Sequence, residues 1–213
     1  MLVKPRSGER TYPCTFAVNH LGIDVFDNLS QLGMTDTAYV VGSGEEGGAN
    51  VSRIDSACWS VACNGAITLP VDFDAWAAYD GEVPTRDYYQ SIPRDLIWIM
   101  GNNIGGDVAT YVYDFHPAIS QSQALTFGQL HAGGTIAGCM LQLLYWAGCR
   151  HAILCGVDMF GNRYHDGTVS PYHHPDTDWG LQMENMNLII KLCEAGGMRV
   201  SSISDTALDV VVI

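Results

Sequence analysis

Positive charge is the scarcest commodity in this chain: lysine occurs only at Lys4 and Lys191, and Lys plus Arg number 10 against 23 Asp plus Glu. No glycine-rich loop ends in Lys followed by Ser or Thr, which excludes a P-loop nucleotidase. A formal charge of −13 works against nucleic acid as a partner, because duplex affinity rests on Lys and Arg neutralising phosphates. The seven cysteines (Cys14, Cys58, Cys63, Cys139, Cys149, Cys155 and Cys193) include no C-x-x-C pair. Their apolar surroundings favour reduced, buried thiols over a zinc site. Long apolar runs are missing too. The longest ends near Gly148, short of the roughly 20 residues a membrane helix needs, so no transmembrane segment is expected. Lys4, Arg6 and Arg10 are followed by interrupted apolar stretches, not a signal-peptide core, and a cytoplasmic location is expected. Neither an internal repeat nor a low-complexity tract is present.

What remains is 47% hydrophobic residues over 213 positions, enough for a substantial core and read as one domain over 1–213, with 1–37 an amino-terminal segment of uncertain structure. AYVVGSG reads as a buried strand entering a turn at Gly42, Ser43 and Gly44, where glycines permit tight backbone geometry beside a ligand. The same segment is also an ordinary way to enter a helix. Three more strands end alike: CWSVACNGAI at Asn64 and Gly65, FDAWAAYD at Asp80, and DLIWIMGNN at Gly101 and Asn102. TRDYYQSI between the last two is expected as a short helix, and FDNLSQLG as another. Repetition of strand followed by polar turn suits a mainly parallel sheet in an α/β, Rossmann-like domain with helices on both faces. Its ligand crevice would run along the strands' carboxyl edge.

Past a polar crossover containing His116 and His131, GGTIAGCMLQLLYWAG is apolar nearly all round, as a buried helix is. HAILCGVD follows as a central strand delivering Asp158 at its end. The loop MFGNRYHDGTVSPYHHPDTD then gathers Phe160, Arg163, Tyr164, His165, Asp166, His173, His174, Asp176 and Asp178. Helical spacing resumes at Trp179, Met183, Met186, Ile190 and Cys193, with Asp176 or Thr177 expected as the cap. His173 and His174 therefore precede a helix amino terminus, a favourable place for an anion. First-row metal ligand types are concentrated in this loop, so a metal-dependent hydrolase competes with a helix cap plus solvated loop residues. The tail, RVSSISDTALDVVVI, supplies a strand and an apolar end that could pair with a second subunit.

AYVVGSG, CNG, AAYD, GGTIAGCMLQLLYWAGCRHAILCGVDMF and HHPDTD, in that order, resemble the bacterial sialyltransferases that modify lipooligosaccharide. They also look like the wider superfamily of archaeal 6-hydroxymethylpterin diphosphokinases and motility-associated glycosyltransferases. The resemblance runs from about Ala38 to Asp205 and is most specific in GVDMF and HHPDTD. It implies a nucleotide-binding turn at Gly42, Ser43 and Gly44, with Ser43 standing where those transferases have asparagine and Glu45-Glu46 where they have Pro-Ser. Asn64 and Asp80 fall on ligand contacts, Thr135 lies near a small hydroxyl position, and Asp158 is part of the matched GVDMF. Phe160 replaces one phosphate-binding tyrosine, Tyr164 matches the second, and His173 matches the general base. The implied partners are a nucleotide or nucleotide-sugar donor and a small hydroxyl acceptor. No metal or other cofactor is required for that reading. Magnesium belongs to the alternative, a diphosphokinase moving pyrophosphate from ATP, with Asp80, Asp158 or Glu45-Glu46 as its ligands. A third reading is a nucleotide-binding module without chemistry.

Overall fold

The computed structural model describes residues 24–101, 111–113, 115–116, 124–131, 134–169 and 179–213. An eight-stranded sheet runs through them, every pairing parallel. In chain order its strands are β1 (Thr37–Val41), β2 (Trp59–Cys63), β3 (Ala75–Ala78), β4 (Ile97–Gly101) and β5 (Tyr111–Tyr113), then β8 (His151–Cys155), β9 (Arg199–Ser202) and β10 (Val211–Val212). A separate parallel pair joins β6 (Phe115–His116) to β7 (Leu130–His131). Strands β1 to β4, β8 and β9 are those expected from the sequence, whereas β6 and β7 lie in the segment expected as a polar crossover; the large sheet has the order β10-β9-β8-β1-β2-β3-β4-β5. The chain winds outward from β1 to one edge, returns through a helix to β8 on the other side of β1, and winds outward again. The point of reversal lies between β1 and β8, where Val41 faces Cys155. Crevices in open α/β sheets form at such points, outside the strands' carboxyl ends.

Burial on both faces explains the near-continuous apolar runs of the central strands. One face, with Ala38, Val40, Val61, Ala75 and Leu154, packs under α2 (Ile136–Trp146) and α3 (Gly180–Ala195). Every residue of α2 from Ile136 to Leu144 is buried, as its all-round apolar sequence requires. Gln142 is the exception in chemistry: its side chain accepts from His131 N–H at 3.0 Å and donates to the His131 and Gly138 carbonyls at 2.6 and 2.8 Å. It thereby ties the end of β7 to the helix. His131 is itself buried, and the contact is made by its main chain.

The opposite face is covered differently from expectation. Helical segments lie on it, but they are the six-residue α1 (Glu45–Asn50) and a series of 3-10 turns. The short helix expected in TRDYYQSI is present in 3-10 form, at Asp87–Ser91, after another 3-10 turn at Val83–Thr85. Arg86 between them is extended, so no i→i+4 ladder can run through. FDNLSQLG is also a 3-10 helix, Val25–Leu32, interrupted at Asn28, but it packs on the face of α2 and α3. Large aromatics compensate for the thin cover. Trp76 and Trp98 meet edge to face at 5.0 Å, and the Trp98 and Trp76 indole N–H groups donate to the Pro93 and Asn64 carbonyls.

α3 starts at Gly180 with Trp179 at the N-cap; the caps expected of Asp176 and Thr177 fall on positions 176 and 177. Those two residues, with His173, His174 and Asp178, lie outside the described residues. Among the described residues no helix is long and apolar enough to cross a membrane. At the sheet's edge Val211 and Val212 are exposed.

Candidate functional site

A cleft of about 490 Å³ opens where β1 and β8 diverge, and its floor is mostly main chain. Hydrogen bonding between the two strands continues past their ends: Gly42 N–H donates to the Cys155 carbonyl at 2.8 Å and Gly44 N–H to Gly156 at 2.9 Å. That approach leaves no room for side chains. A Cβ on Gly42 would lie 2.3 Å from the Gly156 oxygen, and one on Gly44 2.4 Å from Asp158 Oδ2. Gly156 has φ +65°, and a Cβ there would fall 2.8 Å from Gly47 Cα. The glycines of GSGEEGG and CGVD are thus two halves of one contact. From below, Ser204 Oγ accepts the Gly156 N–H, and Thr206 Oγ donates to the Val157 carbonyl.

Asp158 sits on this floor, 5% exposed. Its Oδ2 accepts the Glu46 N–H at 3.0 Å, supplying from β8 the cap that Gly44 cannot give α1. Its Oδ1 is buried without a hydrogen-bond partner. Desolvation, reinforced by the neighbouring Glu46 and Glu45 charges and opposed by the backbone N–H groups, pushes its carboxyl up to about 6. Asn64 follows β2 with φ 51°, a conformation asparagine tolerates better than most residues, and its Oδ1 is also buried and unpartnered. Asp80 follows β3. Gly42, Ser43, Gly44, Asn64, Asp80, Thr135, Asp158, Phe160 and Tyr164, drawn from five separate segments, all line this one cleft.

Some are committed to structure as well. Thr135 caps α2 by accepting from Gly138 N–H, and its hydroxyl donates to Met186 Sδ at 3.1 Å. Arg163 lines the wall but donates to the Gly167 carbonyl. The loop carrying it is fastened across the cleft by an antiparallel bridge between Tyr164 and Gly44. Phe160, 44% exposed, presents a ring without the phenol oxygen of a tyrosine at that place. His173 lies outside the described residues. Of the loop cluster considered for a metal, only His165 and Asp166 are described, and among the described residues no group of three His, Cys, Asp or Glu side chains is placed to hold an ion.

Among the wall residues not assigned to the site from the sequence are Tyr79, Trp179 and Gln182. Trp179 donates to the Gly161 carbonyl, and Gln182 Oε1 is a third buried oxygen without a partner. A helical i,i+3 reading from Trp179 would have found Gln182 on the same face.

No protein-family model matches the chain, and no curated protein does. A solved structure, that of a MAf glycosyltransferase from Magnetospirillum magneticum AMB-1, is similar in fold, with a TM-score of 0.56 and 14% sequence identity. The likeness covers 84% of this chain and 33% of that one, so the chain spans a third of the length of the structure it matches.

Proposed function

We propose that the chain is a glycosyltransferase that binds a nucleotide-sugar donor in the cleft between β1 and β8, of the general kind the sialyltransferase resemblance implies. The observation that carries this is the gathering, in one cleft at the point of sheet reversal, of residues from five segments that the resemblance singles out. The fold likeness to a glycosyltransferase agrees with it.

In this reading the main-chain floor at Gly42–Gly44 receives the nucleotide closely. Asn64 Oδ1, Asp158 Oδ1 and Gln182 Oε1 accept hydrogen bonds from N–H or O–H groups of the ligand and so gain the partners they lack in the protein. Tyr164 faces the leaving phosphate as donor. During transfer an acceptor hydroxyl oxygen bonds to the anomeric carbon. The bond from that carbon to phosphate breaks with its electron pair on the nucleotide, and the hydroxyl proton passes to a base, for which we propose His173.

Melting curves with CMP, CDP, UDP, GDP and ATP, with and without magnesium, test the binding step: one nucleotide should raise the midpoint in step with its occupancy. The matching nucleotide sugar should then be consumed in the presence of a hydroxyl acceptor. A panel in which no nucleotide shifts the midpoint would sink the proposal. A shift confined to ATP with magnesium would transfer support to the diphosphokinase reading.

A further inference from the structure

A second chamber of about 380 Å³ adjoins the cleft, and the two share Ser43, Asn64, Asp80 and Tyr164 as a common divide. Both volumes fall in the range of small-molecule sites, roughly 300–1,000 Å³. A transferase has to hold two substrates on either side of the atom that moves, and two chambers with one divide meet that demand.

The chamber's own walls come from the 3-10 turns after β2 and β3 and from the loop after β8. Gly65 leaves space in front of the Tyr88 ring: a Cβ there would lie 3.6 Å from that ring and 3.7 Å from Ser43 Cβ. Burial pushes the Tyr88 phenol up, so its hydroxyl keeps its hydrogen and can donate. Thr68 Oγ donates to the Gly65 carbonyl at 2.9 Å and meets His165 Nε2 at 2.9 Å. His165 N–H donates to the Ser43 carbonyl at 3.1 Å, so main chain and ring together fasten the loop to the turns after β1 and β2 and close the wall.

Charge selects the occupant. Among the described residues, Asp80, Asp87 and Asp166 line the chamber against one guanidinium, Arg86, which itself lies 3.6 Å from Glu82, and the ring of His165. An anion entering would meet an excess of carboxylates, whereas ligand hydroxyls can donate to those same oxygens while an apolar face rests on the Tyr88 ring.

We propose that this second chamber is the acceptor subsite and that it takes a neutral, polyhydroxylated molecule, a glycoside and not a phosphorylated or carboxylated one. The proposal rests on the glycosyltransferase reading above for the word acceptor. The binding it asserts can be measured separately.

Methyl galactoside and methyl glucoside serve as neutral probes and glucose phosphate as the anionic one, titrated by calorimetry with and without the nucleotide that shifts the melting curve most. Thr68 and Tyr88 line the second chamber and not the first, and Thr68 is exposed, so Thr68→Phe obstructs the chamber without touching the core; it gives up the Thr68–His165 bond, while the main-chain bond from His165 to Ser43 still holds the loop. Tyr88→Ala removes the ring. A glycoside should bind the wild type about tenfold more tightly than glucose phosphate, and Thr68→Phe should weaken it by about tenfold while changing nucleotide affinity by less than about twofold. Tyr88→Ala should act in the same direction where it folds. The proposal fails if neither glycoside binds, if Thr68→Phe leaves glycoside affinity unchanged, or if glucose phosphate binds more tightly. If no nucleotide binds but glycosides bind and respond to Thr68→Phe, the transferase reading falls and the carbohydrate site stands.

Discussion

Replacing Asp158 with asparagine isolates the cost of keeping a carboxylate on the cleft floor. The side chain keeps its shape. The amide oxygen can still accept the Glu46 N–H, and the amide nitrogen takes the place of Oδ1, which is unpartnered already, so the hydrogen-bond deficit carries over unchanged. What disappears is the buried charge beside Glu45 and Glu46. The folded carboxyl titrates near 6 against an ordinary 3.8. The folded state therefore binds this proton more tightly than the unfolded state, and the native fold loses stability as pH rises through that interval. At about 1.4 kcal/mol per unit, a rise of roughly two units is a penalty of at most about 3 kcal/mol, fully present above the folded value and absent below the unfolded one. Asp158→Asn should match the wild type near pH 3.5 and exceed it at pH 7.5 by up to about 3 kcal/mol, or roughly 6–12 °C in midpoint for a chain of this size. Urea denaturation of both proteins over that pH range measures the difference directly and cancels the other carboxylates. The same variant should bind nucleotide more weakly, since a donor amine replaces an acceptor oxygen. A variant less stable than the wild type at pH 7.5, or a difference that does not change with pH, would refute the reasoning.

Gly42→Ala should destabilise by about 1–3 kcal/mol or more because its methyl meets a main-chain oxygen that cannot turn aside, while Gly48→Ala, whose methyl would lie 3.5 Å from His165, should change stability little; chemical denaturation compares them. A β-branched residue at Gly44 would strike Asp158 and the Gly156 carbonyl, so calorimetric titration beside a denaturation curve should show losses in both nucleotide affinity and stability. Gln142→Leu removes three buried hydrogen bonds, to the His131 N–H and carbonyl and the Gly138 carbonyl, and should cost about 2–4 kcal/mol by the same measurement. His173→Ala should lower transfer at saturating donor by about 10²–10⁴-fold with donor affinity kept, and His174→Ala should not; equal effects in a single-turnover assay would remove the assignment of the base.

The sheet was legible because fully buried parallel strands must be apolar throughout and end where polar turns begin, as Val41, Cys63, Ala78 and Cys155 do. The lining of the cleft was legible wherever a strand end delivered a residue: Gly42, Asn64, Asp80 and Asp158 needed only the topology rule to converge. Cover on the second face was not legible, since the spacing of Tyr88 and Tyr89 suits an α-helix as well as the 3-10 turn they form. Gly156 looked like the end of a strand, and nothing local says that its Cα must pass Gly47. His165 looked like a loop histidine because its partners, Thr68 and Ser43, are remote in sequence. The orphaned oxygen of Gln182 depends on a helix position that hydrophobic spacing passes over.

The strand order has a consequence for how the protein comes into being. The cleft floor joins Glu46 to Asp158 across 112 positions, and Arg53 reaches the Ile203 carbonyl across 150. Strands β1 to β4 can pair by short crossovers as they emerge from the ribosome, but their pocket lacks its other wall until β8 arrives and threads its glycine against Gly42. Loop closure over such a distance is slow relative to local pairing. The cleft is therefore completed late in folding, and on the reading proposed above a nucleotide added to the refolding chain should leave the early phase alone while slowing unfolding of the finished protein.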